Sequence, residues 1–306
     1  MTDSPSDSTY ALLPNRSVLS VSGADARQFL QGLISNDMRK VSPSRAIWAA
    51  LLTPQGKFLH DFFITERAAD GAFLIEVETD RFEDLARRLK LYRLRSKVDF
   101  QDERAHLVVA AIFGSTLTWP SLSAEGSAAA FGAGIVYRDP RLSAAGFRLV
   151  ASPQDLVLLA DKGCREVAAE IYDEWRLGLG LPDGSRDLTP EKATLMESGY
   201  DELNGIDWSK GCYIGQELTA RMKYRGLVKK RLVPITALHE IPEPGTLIFK
   251  DAAEVGEIRS GRGRNGLALI RTDVLEPAPS AVLLSRDQEV TPHLPSWIKL
   301  PEAKLT

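Results

Sequence analysis

Cysteine is nearly absent, with only Cys164 and Cys212 in 306 residues. Two thiols so far apart give no disulfide framework, and a reducing compartment suits them better. Histidine is almost as scarce. His60, His106, His239 and His293 are scattered, whereas a structural zinc site needs four ligands, usually in close pairs. No metal site built by this chain alone is expected, although one shared with a second protein stays open. No apolar run approaches the ~18 residues that span a membrane, and no membrane partner is expected. Phosphate-loop and H-E-x-x-H motifs are missing. Basic excess is missing too: the formal net charge is −3, so direct binding to nucleic acid would need a local patch. The start, Met1 to Pro14, carries no lysine or arginine. It has neither the basic and apolar regions of a signal peptide nor the basic character of a transit peptide. The expected address is the cytoplasm.

What is present is ordinary for a folded protein. Hydrophobic residues make up 44% and charged residues 26%, which excludes a disordered chain. The length favours about two domains. Ser22 to Ile34 reads as a helix capped by Ser22, with Asp25 in its first turn and Ala26, Phe29, Leu30, Leu33 and Ile34 on one stripe. Strands are expected at Ile47–Leu52, Phe58–Ile64 and Ala72–Glu78, joined by the turns at 53–57 and Asp70-Gly71. A helix carrying Phe82, Leu85, Leu89 and Tyr92 follows, then strands near Val98 and at Leu107–Phe113. Gly114 to Gly134 reads as a surface loop. Ile135–Tyr137 and Phe147–Ala151 read as strands, and Asp161 to Leu177 as a helix with Cys164 on its apolar stripe. From Arg231 onward only short β-rich runs remain: Leu232–Ile235, Thr246–Phe249, Leu267–Ile270 and Ala281–Leu284. They predict an α+β region over 1–230 and a small β-barrel or sandwich over 231–306.

Gly261 to Gly266 spells G-x-G-x-x-G. A dinucleotide site needs a helix after it, and the β-like run that follows makes it a hairpin turn instead. The informative stretch is Lys210-Gly211-Cys212-Tyr213-Ile214-Gly215-Gln216-Glu217. Cys212 precedes a short helix expected at Leu218–Met222, where free amide groups and the neighbouring Lys210 and Arg221 favour a thiolate. That makes it a candidate nucleophile, redox centre or soft metal ligand. The plainer alternative is a buried small hydrophobe, which is the reading for Cys164. Lys210 to Arg231 holds seven cations (Lys210, Arg221, Lys223, Arg225, Lys229, Lys230 and Arg231) against one acid, Glu217. Such a run attracts phosphate, RNA or a polycarboxylate, or is simply solvated. Glu217 has the chemistry to accept paired N–H groups of a heterocycle such as a pterin.

K-G-C-Y-I-G-Q-E resembles the signature of the YgfZ family, whose members include mitochondrial iron–sulfur cluster assembly factors. Leu52-Thr53-Pro54-Gln55-Gly56-Lys57, Tyr92-Arg93-Leu94-Arg95, Asp139-Pro140-Arg141-Leu142, and Trp175-Arg176 ahead of Gly180-Leu181-Pro182 agree with it. The family is similar in fold to the glycine cleavage T-protein, an aminomethyltransferase. The resemblance implies a folate-binding α+β region with ferredoxin-like subdomains followed by a small C-terminal β-barrel. It also implies a tetrahydrofolate-binding accessory protein for assembly or repair of iron–sulfur clusters, serving enzymes such as those that thiolate tRNA. The implied partners are folate and iron–sulfur scaffold or client proteins, with a transient cluster shared through Cys212.

Lys210, Gln216, Glu217, Arg221 and Tyr224 are the candidate folate-binding residues, Cys212 the redox residue or cluster ligand. Asp61 falls where the T-protein carries the second acid of its G-G-x-x-D-D strand; the alternative is a surface acid at a strand edge. His60 and Lys57 replace an acid and a glycine of that pattern, and Leu142 to Phe147 lacks the T-protein's glutamate. Those departures weigh against aminomethyl transfer, the second reading, without touching folate binding. A tRNA-binding module is the third.

Overall fold

The structure is a computed structural model that describes residues 8–114, 119, 121–275 and 282–300. The chain divides into two compact units. One comprises residues up to 52, 59–172 and 204–214; the other comprises 53–58, 173–203 and the chain from 215 onward.

The first unit holds two sheets. One runs in the order Ile47–Leu52, Phe58–Glu66, Phe73–Glu78, Arg16–Ser22 and Asp99–Asp102. The other runs Arg165–Glu166, Thr9–Leu12, Val108–Phe113, Phe147–Ala151, Gly134–Arg138 and Ala128–Phe131. Helix Ala26–Gln31 and helix Phe82–Arg93 pack Leu30, Phe82, Leu85 and Leu89 into the core of the first sheet. A second core gathers Tyr10, Ile112, Phe131, Phe147 and Leu149 on the other sheet. The central strands are buried on both faces, as the unbroken burial of Phe58 to Thr65 shows. That is why they read as continuous apolar runs rather than alternating ones.

Several sequence expectations need correction. Ser22 ends the strand Arg16–Ser22 instead of capping a helix, and the helix is short, Ala26–Gln31. Asp25 turns its carboxylate to the Lys97 amide at 2.7 Å. The helix expected over 161–177 is two: Val157–Asp161 and Ala169–Leu179, with the strand Arg165–Glu166 between them. Gly163, at φ +74°, turns the chain there, a conformation a helix cannot continue through. Cys164 is therefore not on a helical stripe, yet it is buried against Tyr10 and Leu159, as a small hydrophobe would be. The loop expected at 114–134 contains the strand Ala128–Phe131; residues 115–118 and 120 of that loop, like Ala281 of an expected strand, lie outside the described residues.

The second unit is built on a closed barrel, in the order Lys230–Ala237, Asn265–Arg271, Ala253–Arg262, Leu247–Lys250, Leu283–Ser285 and Gln288–Pro292. Val233, Ile235, Ile248, Ile258, Ile270 and Val290 fill it. The glycine-rich stretch is the two-residue turn Gly263-Arg264 between two paired strands, as its context predicts. Arg176 is 2% exposed and fastens helix Ala169–Leu179 to this unit. It donates to Asp173 at 2.7 Å, to Asp187 at 2.8 Å and to the Leu181 carbonyl at 3.1 Å. A buried guanidinium is tolerable only with its donors so engaged.

Candidate functional site

The cysteine loop is fixed from both sides. Lys210 is only 7% exposed. Its Nζ donates to the carbonyls of Gln31 at 2.5 Å and Ile34 at 2.9 Å, groups left free where helix Ala26–Gln31 ends. Gln31 Nε2 donates back to the Lys210 carbonyl at 3.1 Å. On the far side the Ile214 amide donates to Gly32 O at 3.3 Å. Between these anchors Gly211 takes φ +92° and Cys212 is exposed. The loop thus presents a thiol to solvent at the apex of a short, fastened segment. Burial pushes the Lys210 ammonium down to about 8, opposed by the nearby Asp37 and Asp207. Tyr213 lays its ring 4.8 Å from Nζ, a cation–π contact.

Two of the sequence motifs meet after the loop. Helix Gln216–Arg225 starts at Gly215, and the 53–57 turn packs onto that start. A β-carbon on Gly56 would stand 2.6 Å from Leu218 Cβ and 2.7 Å from the Gly215 carbonyl. Only glycine permits that approach. Of the candidate ligand residues on this helix, Glu217, Arg221 and Tyr224 are exposed and Gln216 is half-buried. Lys210 is buried, and so is Arg231, which ion-pairs with Glu202 at 2.5 Å and donates to Met196 O at 2.7 Å. The expected basic run is therefore reduced to Arg221, Lys223, Arg225, Lys229 and Lys230 as its exposed cations, and Lys223 pairs with Asp201.

Asp61 is not a surface acid. It is 2% exposed, accepts from Trp48 Nε1 at 3.2 Å and faces Arg16 at 3.8 Å. It belongs to a buried network that joins both sheets of the first unit. Glu76 accepts from Arg16 Nε at 3.0 Å, Arg148 Nε at 3.0 Å and Tyr137 Oη at 2.7 Å. Arg148 and Tyr137 are cross-strand partners, which is why both reach one carboxylate. Arg141 is clamped by Asp139 at 2.8 and 3.0 Å. Three guanidiniums surround the Phe63 ring, those of Arg148, Arg141 and Arg16 lying 4.3, 4.9 and 5.9 Å from its centroid. Three cations balance three acids (Asp61, Glu76 and Asp139), so the buried set is neutral.

A polar cavity of about 290 Å³ opens in the first unit, lined by Asn36, Lys40, Arg45, Glu125, Pro140 and Asn204. Its walls are held in place. Asn36 Nδ2 donates to Trp48 O and Asn204 O, both at 2.8 Å. Asn204 Nδ2 donates to Glu125 at 2.9 Å, and Lys40 pairs with Asp207 at 2.7 Å. Sequence reading missed these residues. The available signal was Ser35-Asn36-Asp37, three polar residues directly after an apolar stripe, all of them buried. Among the described residues no group of three or more His, Cys, Asp or Glu side chains is placed to hold a metal ion.

Comparison with known proteins fits this architecture. A family model described as the CAF17 C-terminal β-barrel domain matches residues 229–300. The human protein named iron-sulfur cluster assembly factor IBA57, mitochondrial, is 33% identical over 303 residues, covering 93% of this chain and 84% of that one. The mouse protein of the same name is 31% identical over 305 residues, with coverage of 93% and 84%. The glycine cleavage system aminomethyltransferase T from Bartonella henselae superposes with a TM-score of 0.75 over 96% of this chain and 87% of its own. At 14% identity that likeness shows the fold alone. The names of the relatives overturn the cytoplasmic expectation, since they read mitochondrial and point there instead. The chain belongs to the YgfZ/IBA57 family of iron–sulfur cluster assembly factors, on a T-protein-like fold.

Proposed function

We propose that this chain assists assembly of iron–sulfur clusters, with Cys212 as the thiol that meets the cluster. The observation that carries the reading is the exposed Cys212 at the apex of a loop pinned by Lys210 and Ile214. On losing its proton to solvent, the sulfur donates a lone pair to one iron of a cluster in transit. A scaffold or client protein supplies the other ligands, and clients include enzymes that thiolate tRNA. Relatives named as assembly factors favour this role.

Tetrahydrofolate is the small molecule we assign to the same protein. The cavity at Asn36 and Asn204 suits it: Glu125 has the chemistry to accept pterin N–H groups, and Arg45 and Lys40 to meet a glutamate tail. Glu217, Arg221 and Tyr224, exposed on their own helix, then serve the protein partner. Aminomethyl transfer is less favoured, because Asp61 is already committed to Trp48 and Arg16 inside a neutral network.

Two measurements test the two halves separately. Cys212→Ala is expected to fold normally and to fail to restore iron–sulfur enzyme activity in cells lacking their own factor. Full restoration would remove the cysteine role. Anaerobic calorimetry is expected to show tetrahydrofolate binding to wild type and Cys212→Ala alike, weakened in Arg45→Ala and Glu125→Gln. No heat with wild type would remove the folate assignment and leave the cysteine role standing.

A further inference from the structure

Helix Phe82–Arg93 ends in a surface that neither the cysteine loop nor the polar cavity uses. Its inner face is fastened by Phe82, Leu85, Ala86 and Leu89. Arg87 to Lys97 contains six cations and no acid. Arg87 and Arg88 are answered by Asp84 one turn back on the same helix. Lys90, Arg93, Arg95 and Lys97 are exposed, and their side chains form no ion pair among the described residues. The Asp25 carboxylate takes the Lys97 backbone amide at 2.7 Å.

Among these cations stand two leucines. Leu91 is 65% exposed and Leu94 is 88% exposed, the highest among the exposed large apolar side chains of the described residues. Leu94 sits at φ +46° and ψ −112°, just past the helix end. A residue with a β-carbon seldom adopts such a backbone, and it persists where the surroundings impose it, often at functional sites.

We infer that this tip docks on an anionic lipid surface. The leucines project instead of lining a groove, so the phase that buries them must close around them, as the headgroup boundary of a bilayer does. Four unpaired cations beside them, two in the last turn of an amphipathic helix and two just past its end, form the arrangement that anionic lipid attracts. The chain as a whole is acidic at −3, so attraction comes from local patches, and this tip is one that joins its cations to two projecting leucines. An RNA phosphate chain would use the cations but leave the leucines idle, since stacking on bases needs aromatic rings. An acidic peptide would need a groove to lie in. The association is peripheral, for no described helix is long and apolar enough to cross a membrane.

Flotation of the full chain with phosphatidylcholine vesicles containing about a quarter phosphatidylglycerol tests this, with pure phosphatidylcholine beside it. Binding is expected to the anionic vesicles alone and to weaken with salt. Leu91→Ser with Leu94→Ser is expected to weaken it about tenfold or more. Lys90→Glu with Arg93→Glu and Arg95→Glu is expected to abolish it with the circular dichroism unchanged. Leu94→Trp gives a readout independent of the charge variants: its added emission should shift to the blue on anionic vesicles. Absence of wild-type binding at low salt would overturn the inference, as would an unshifted Leu94→Trp emission. So would binding that ignores the leucine substitutions and is displaced by soluble heparin, which would mark a general polyanion site.

Discussion

Lys210 and Gln31 hold each other reciprocally: Lys210 Nζ donates to the Gln31 carbonyl at 2.5 Å, and Gln31 Nε2 donates to the Lys210 carbonyl at 3.1 Å. One residue's side chain thus fixes the other's backbone, and the segment carrying Cys212 is set by that exchange. Lys210→Met should free it. Gln31→Ala removes the bond to the Lys210 carbonyl and leaves the lysine charge in place, and loss of about 1 kcal/mol there predicts alkylation of Cys212 about fivefold faster. Unchanged rates would show that the loop is set elsewhere. The same lysine carries a pH dependence. Its folded pKa is lowered from 10.5 to about 8, so between those values the unfolded chain binds more protons and stability rises with pH. Urea midpoints taken across that interval should climb in wild type and lose this component in Lys210→Met.

Glu76 is the carboxylate on which the buried network converges. Burial alone would raise its pKa, but the charges of Arg148 and Arg16, with bonds from Arg148 and Tyr137, bring it down from 4.5 to about 2. Glu76→Gln leaves buried guanidiniums without their counter-charge, a loss of about 3–5 kcal/mol. The sign with pH is the same as for Lys210, because between about 2 and 4.5 the unfolded chain binds more protons than the folded one. The Glu76 contribution is complete above 4.5 and is lost as pH falls through about 2. Denaturation followed from neutral to acid pH should show that loss in wild type and a flatter profile in Glu76→Gln. A substituted protein as stable as wild type at neutral pH would mean the network is neutral in energy as well as in charge.

Much of the scaffold was legible because it depends on local pattern. Ile47–Leu52 and Phe147–Ala151 are read to the residue, since apolar runs between turn signals have few other fates. The barrel was legible for the same reason. Arg16–Ser22 was not: Ser17, Val18, Ser20 and Val21 are all inside, in a sheet covered on both faces, and Ser22 mimics a helix cap. The cysteine was legible from its glycine and lysine flanks, but the direction of Lys210 was not. A lysine in a basic run is read as solvated, and only tertiary packing brings the end of helix Ala26–Gln31 to its ammonium. Asp61 was placed on the right strand, and of its two readings the surface acid falls, for a reason the sequence hides: its shelter comes from Trp48 and Arg16. The cavity residues Asn36, Glu125 and Asn204 come from three separate segments, and no spacing rule joins them.

His60 stands beside Asp61 and is fully buried. Its Nε2 lies 2.9 Å from Asp84 Oδ2, while Nδ1 has no hydrogen-bond partner. Burial, with the charge of Arg81, lowers its pKa from 6.5 to about 4 against the pull of Asp84. The ring is therefore neutral at pH 7, with Nε2–H donating to the carboxylate and the Nδ1 lone pair left idle. Between 6.5 and about 4 the unfolded chain takes up a proton that the folded chain refuses, so stability is lost as pH falls across that window. His60→Leu removes both the titration and the idle lone pair. It gives up one hydrogen bond, and Asp84 keeps Arg87 and Arg88. The expected cost at neutral pH is about 1 kcal/mol, with a flatter dependence from pH 6.5 downward. Chemical denaturation at pH 7 and at pH 5 checks both. A His60→Leu protein that still loses as much stability as wild type between those two conditions would move the titration to another group.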